Sequence, residues 1–263
     1  MIIIDSHTHV WPDKVAEKAK DYLRQSFSMP ISVIPTVSNL LRIMDENAIS
    51  KSVIASVASR PDQVISINNW LFKTDRKRFI PFASIHPFYD KWKEELKRIK
   101  DNAFGIKFQP EFQDFYIDDE KVFPLYEQIQ KLDIPVLFHC GTELSLPGII
   151  HASPDKIIKI TDKFPEMKFI GAHMGGFKIW DEVIEKLAGR NIYFDTSSSI
   201  SYMKKQQLDM LMKKHSVDKI LFGTDFPVGN QKKEIDFLKS LDIEEDKKIK
   251  LFGGNIIKLL NLR

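Results

Sequence analysis

At 263 residues, 43% hydrophobic and 29% charged, the chain is long enough to bury a large core and has the balance of an ordinary soluble globular protein. Its 39 basic residues against 36 acidic ones leave a net charge of +3, spread along the chain, so neither nucleic acid nor a membrane surface is indicated as a partner. A single cysteine, Cys140, excludes an intrachain disulfide; with no leader-like N-terminus and no apolar run of the ~18 residues a membrane helix needs, a cytoplasmic location is expected.

The chain opens on Ile2-Ile3-Ile4, a β-branched strand that runs into Asp5-Ser6-His7-Thr8-His9. Strand side chains alternate, so His7 and His9 share a face, and two imidazoles held that way can share one metal ion. A long connection, 11–51, contains predicted helices over 13–27 and 36–47 with a break at Met29-Pro30. Further strands are predicted at 51–57, 79–85, 104–108, 135–139, 168–173, 192–196 and 219–225. Helical patterns lie between them at 61–73, 91–101, 120–132, 154–164, 178–187 and 202–214, with Pro154 placed as the first residue of its helix. Two more helices close the chain, and Gly253-Gly254 is read as the break between them.

Eight short apolar strands alternating with helices are the pattern of parallel βα units covered on both faces. A closed (β/α)8 TIM barrel, an α/β fold with residues 1–263 in one domain, is the simplest arrangement for them. The competitor is an open doubly wound sheet, but no Gly-x-Gly-x-x-Gly turn follows the first strand.

In such barrels active sites lie at the C-terminal ends of the strands. His7 and His9 end strand one, His139 strand five, His173 strand six and Asp225 strand eight. Counting back by twos puts Leu137, Phe169, Gly171, Leu221 and Gly223 on the same faces, as an apolar barrel interior. Scattered core histidines would have no reason to gather at one mouth. His7, His9, His139 and Asp225 are therefore read as ligands of one divalent ion, Zn2+ by ligand chemistry, with Mn2+ or another divalent ion as the alternative. His173 is read as an acid/base beside the metal rather than a fifth ligand, and Asp225 as both ligand and proton acceptor.

Four motifs then carry a resemblance: Asp-Ser-His-Thr-His at the start, Leu-Phe-His-Cys-Gly at 137–141, Gly-Ala-His-Met-Gly-Gly at 171–176 and Phe-Gly-Thr-Asp-Phe-Pro at 222–227. With Gly105-Ile106-Lys107 and Leu251-Phe252-Gly253-Gly254-Asn255, they resemble the amidohydrolase superfamily. The chain is most similar to the branch that includes the aminocarboxymuconate-semialdehyde decarboxylases and metal-dependent hydrolases. The resemblance implies the same ligand set, His173 as the catalytic histidine, and a homodimer. Many binuclear relatives bridge two metals with a carboxylated lysine or a glutamate on strand four; here Lys107 stands there. It is read as a cation that meets a substrate carboxylate, with a bridging carbamate or a solvated rim lysine as alternatives. The barrel deoxyribonucleases bring a strand-four glutamate, but the nearest acid here is Glu111, beyond Pro110, so a nuclease is disfavoured.

Arg60, after strand two, is a candidate grip on an anionic substrate, and Trp11 a candidate pocket wall. Cys140, His86, His151 and His215 are read as structural, and the serines 197–199 either as lining the mouth or as a turn of the chain. The expected function is hydrolysis of an amide, ester or lactone-type bond in a small molecule by metal-activated water. The alternatives are non-oxidative decarboxylation of a small aromatic or unsaturated acid by the same ligands, and a barrel that binds metal or ligand without turnover.

Overall fold

The computed structural model describes residues 1–28 and 30–262. Met29, half of the expected Met29-Pro30 break, lies outside the described residues. Eight strands follow one another around a single sheet: β1 (Ile4–Thr8), β2 (Lys51–Ala55), β3 (Phe79–Ser84), β4 (Gly105–Phe108), β5 (Val136–Phe138), β6 (Phe169–Gly171), β7 (Tyr193–Asp195) and β8 (Ile220–Leu221). Every ladder is parallel. The last strand closes on the first through Ser6 N–H to the Phe222 carbonyl (2.7 Å), Asp225 N–H to the His7 carbonyl (2.8 Å) and His9 N–H to the Phe226 carbonyl (2.7 Å). The described residues thus form a (β/α)8 TIM barrel, as the alternation of elements predicts.

The connecting helices are α1 (Asp13–Phe27), α2 (Val37–Glu46), α3 (Val64–Leu71), α4 (Trp92–Asn102), α5 (Phe123–Lys131), α6 (Pro154–Lys163), α7 (Trp180–Lys186) and α8 (Lys205–Lys214). Their starts follow local chemistry: Thr36 caps α2 by accepting from Asn39 N–H, and Pro154 sits in the first turn of α6. After α9 (Gln231–Ser240), the expected break at Gly253-Gly254 does not occur. Instead α10 (Glu245–Ile249) runs through a π-turn, Lys250–Gly254, into α11 (Asn255–Leu260). The glycine serves close approach: a Cβ on Gly253 would lie 2.6 Å from the Ile2 carbonyl oxygen. No helix among the described residues is long and apolar enough to cross a membrane.

Alternate strand residues divide into two cores. Ile4, Val53, Ala55, Ile80, Phe82, Leu137, Ile170 and Leu221 pack together inside the barrel, with Ile256 and Leu259 against them. Ile54, Ala83, Phe108, Val136, Phe138 and Phe169 belong to the larger layer under the helices. Burial of these side chains, at about 25 cal/mol per Å² of apolar surface, is what holds strands and helices together.

Two local departures aim the functional side chains. Along β1 the register against β2 shifts between Asp5 and Thr8: Asp5 pairs with Ser52 but Thr8 with Ile54, so β1 carries one extra residue. Such a bulge reverses the alternation begun at Ile4 and turns His7 and His9 toward the mouth. On β6 the counting by twos is corrected, because Ile170, not Phe169, faces the interior. His173 reaches the mouth because it and Met174 take φ of 60° and 53°, a left-handed turn that ends the alternation.

Candidate metal centre

His7 and His9 each have one ring nitrogen committed. His7 Nδ1–H donates to Asp195 Oδ2 at 2.8 Å, and His9 Nδ1–H donates to the Ala55 carbonyl at 2.7 Å. In these neutral tautomers both Nε2 atoms are lone-pair acceptors, yet they lie 3.1 Å apart. Asp225 Oδ1 adds a third acceptor, 3.4 Å from His9 Nε2 and 3.7 Å from His7 Nε2. Three electron-rich atoms all within 4.8 Å of one another, none able to donate, fit a divalent cation in their midst.

Asp225 is placed by its own backbone, with φ of 66°, and its Oδ2 accepts a hydrogen bond from Ser198 Oγ at 2.7 Å. Burial would raise its carboxyl, but the neighbouring His9, His7 and His173 side chains hold it below the usual carboxylate range. Burial, then the nearby Lys107 charge, pushes His7 down to about 4, so it stays neutral and able to ligate at neutral pH.

The other two expected histidines stand beside this group. His139 Nδ1 lies 3.0 Å from His173 Nε2, and His139 Nε2 is buried with no hydrogen-bond partner among the described residues, 4.0 Å from Glu143 Oε2. His139 is thus outside the close group of three, although it lines the same cavity. His173 Nδ1 faces the Ser197 carbonyl at 2.9 Å, and its ring stacks 5.4 Å from that of His7.

The residue that sequence reasoning passed over is Asp195. It is fully buried, and besides His7 it receives the His173 and Ser197 backbone N–H groups, each at 3.0 Å, and the Ser197 hydroxyl. Burial alone would raise its carboxyl, but the His7 side chain that donates to it, with His173 and the Ser197 hydroxyl beside it, outweighs burial and brings it to about 2. Its signal was there to be read: it is the last residue of β7, at the same mouth as the others. Gln109 and Glu143, joined at 2.9 Å, were also missed; both lie in loops, where periodicity carries no information.

Lys107 is 1% exposed, and its Nζ sits 3.3 Å from His7 Nε2. Among the described residues no carboxylate lies within ion-pair distance of it. Burial lowers its pKa, while the charges of Asp195 and Asp225 act the other way. The solvated-rim reading is therefore excluded. Arg60 is a correction: its side chain is 64% exposed and pairs with Asp62 at 3.1 Å, outside the cavity. The short helical turn that opens at Pro61 points it to solvent. Trp11 does form a wall, its ring 6.3 Å from that of His9.

The cavity measures about 940 Å³. Residues of α1, among them Val15, Ala19, Tyr22 and Leu23, form one side of it. Cys140 donates to the Phe138 carbonyl and its thiol is pushed up by burial; it, His86, His151 and His215 do not line the cavity.

A family profile described as Amidohydrolase matches residues 4–262. No curated protein matches the sequence. Among solved structures, the chain is similar to 5-carboxyvanillate decarboxylase from Sphingomonas paucimobilis, with 15% identity, TM-score 0.79, and 100% of this chain and 99% of that one covered. It is similar to 2,6-dihydroxybenzoate decarboxylase from Rhizobium at 18% identity, TM-score 0.75 and the same coverages. A third is the dihydroxybenzoic acid decarboxylase from Polaromonas sp. JS666 with bound manganese and the inhibitor 2-nitroresorcinol, at 18% identity and TM-score 0.75, covering 99% of this chain and 97% of that one. These findings overturn the expected hydrolysis of a C–N or C–O bond: all three are named for removing a carboxylate, none for adding water. The ligand reasoning had left both reactions open because they share every ligand.

Proposed function

Because the chain belongs to the amidohydrolase family, we propose that it is a metal-dependent carboxy-lyase acting on a small aromatic or unsaturated carboxylic acid. One observation carries the choice of an acid as substrate: Lys107, a buried amine with no carboxylate partner among the described residues, stands 3.3 Å from His7 Nε2 at the metal-ligand candidates. A buried cation calls for an anion, and an amide or ester would leave it uncompensated. The decarboxylases named above support the same reading.

His7, His9 and Asp225, with His139 after rotation of its ring, would hold one divalent ion. Manganese in the Polaromonas structure makes Mn2+ the first ion to test and Zn2+ the second. Such an ion, when bound, supplies a positive charge that orients the substrate carboxylate and draws electron density from the carbon bearing it.

The chain's own residues supply the rest. Lys107 binds and orients the anion. Breaking the carbon–carboxylate bond leaves the electron pair on carbon, which must take up one proton. His173 moves that proton: its Nδ1–H donates to the Ser197 carbonyl, so Nε2 is the nitrogen that takes up and passes on a proton. Asp225, kept ionised, holds the neighbouring histidines in place. Trp11, Val15 and Leu23 exclude water around the carbon.

The test is carbon dioxide release from hydroxybenzoates and enoic acids by the manganese-loaded protein, with deuterium incorporation in D2O. Carbon dioxide with deuterium at the vacated carbon is expected. Absence of both across the panel, with metal bound, would sink the reading.

A further inference from the structure

The cavity reaches well beyond the metal-ligand candidates. Along α1 it is lined by Val15, Ala19, Tyr22, Leu23 and Phe27, with Lys18 at one edge and Ser26 near the far end. Steps of three and four place these side chains on one face of the helix, and at 1.5 Å per residue that face runs for about 18 Å from Val15 to Phe27. The stripe starts beside the metal-ligand candidates, since the Trp11 ring, 6.3 Å from that of His9, stands two residues before the helix. Ile67 and Trp70, one turn apart on α3, line the cavity as well, and so does Leu146. These walls are apolar but uncovered: Val15, Tyr22 and Leu146 keep 37%, 55% and 41% of their surface exposed. Large apolar side chains left open around a concavity mark a ligand groove. A volume of about 940 Å³ lies at the top of the ~300–1,000 Å³ range of small-molecule pockets, and an acid of one ring fills only a small part of it.

We propose that this face of α1 is a subsite for an elongated apolar substituent, so that the substrate is an aromatic or unsaturated acid carrying an alkyl chain. Lys107 holds the carboxylate at the metal end, and the chain lies along α1 toward Phe27. The inference rests on the acid reading above and narrows it. Each methylene laid on this face removes apolar surface from water on both partners.

The test is calorimetric binding of benzoate and of its ethyl-, butyl- and hexyl-substituted forms, at each ring position, to the manganese-loaded protein. At the best position affinity is expected to rise about three- to fourfold per buried methylene, so that hexylbenzoate binds at least about a hundredfold tighter than benzoate. A chain of the same length interrupted by ether oxygens should gain little. Ala19→Trp fills the middle of the face. In that variant the ratio of hexylbenzoate to benzoate affinity, which cancels any general loss, should fall at least about tenfold. Affinity flat in chain length overturns the proposal while benzoate binding leaves the acid reading standing, and that outcome needs no variant to fold. An equal gain for the ether chain, or a ratio unchanged in Ala19→Trp, also overturns it. If no acid of any length binds, both readings fall together.

Discussion

His7 and His9 present their Nε2 atoms to each other at 3.1 Å with no ring hydrogen on either, because Asp195 and the Ala55 carbonyl have claimed both Nδ1 protons. Two facing lone pairs repel unless a cation lies between them. The protein sustains this arrangement by placing acceptors behind each ring, which is how ligating histidines are oriented and made more basic.

Removal of a ligand should separate metal from catalysis. Elemental analysis of protein purified without chelators should give about one divalent ion per chain, falling to near zero in His7→Ala. His173→Ala should keep its metal and lose activity. Equal metal loss in the two variants would make His173 a ligand.

Asp195→Asn should weaken metal binding by about 10- to 100-fold in chelator competition, with the circular dichroism spectrum unchanged. The Asp195 carboxyl sits at about 2 in the folded chain, below its unfolded value of about 3.9. Its stabilisation is therefore complete above about pH 4 and lost as pH falls from there through about 2. The difference in Tm between wild type and Asp195→Asn should shrink across that window; a difference independent of pH would count against the assignment.

Lys107→Met should weaken binding of benzoates by at least about tenfold while metal content stays the same. A drop from two ions to one or none would instead mark Lys107 as a bridging carbamate. Arg60→Ala should change neither measure by more than about twofold, since an exposed ion pair contributes little.

Glu234, in the first turn of α9, gives a stability prediction away from the metal. Its Oε1 accepts from Ser201 Oγ at 3.3 Å, Oε2 has no hydrogen-bond partner, and burial pushes the carboxyl up to about 7. An acid whose folded pKa is raised keeps its proton in the folded state while the unfolded chain ionises. Stability therefore falls as pH rises from about 4.5 through about 7. Glu234→Gln should raise Tm by a few degrees at about pH 8 and leave it nearly unchanged at about pH 4.5. His7, His139 and His215 are shifted downward by burial and act in the opposite sense, so the difference between variant and wild type is the informative curve.

The sequence by itself determined the number and order of the βα units, and hence the barrel, because apolar periodicity, caps and breakers are local properties. It also placed His7, His9, His139, His173 and Asp225 at strand ends, and so at one mouth, since parallel strands put all their C-terminal ends on one side. Tertiary structure decided what those residues do there. Asp195 orients His7 from 188 residues away, a relation that exists only once β7, β8 and β1 close the barrel. The bulge in β1 and the left-handed turns at His173 and Asp225 set which way the side chains point, and alternation alone misassigned β6. Helical continuity through Gly253 depends on the approach of Ile2, and the exposure of Arg60 on the turn at Pro61. A lysine looks the same in sequence whether solvated or buried; only packing from distant segments left Lys107 buried without a counter-ion among the described residues.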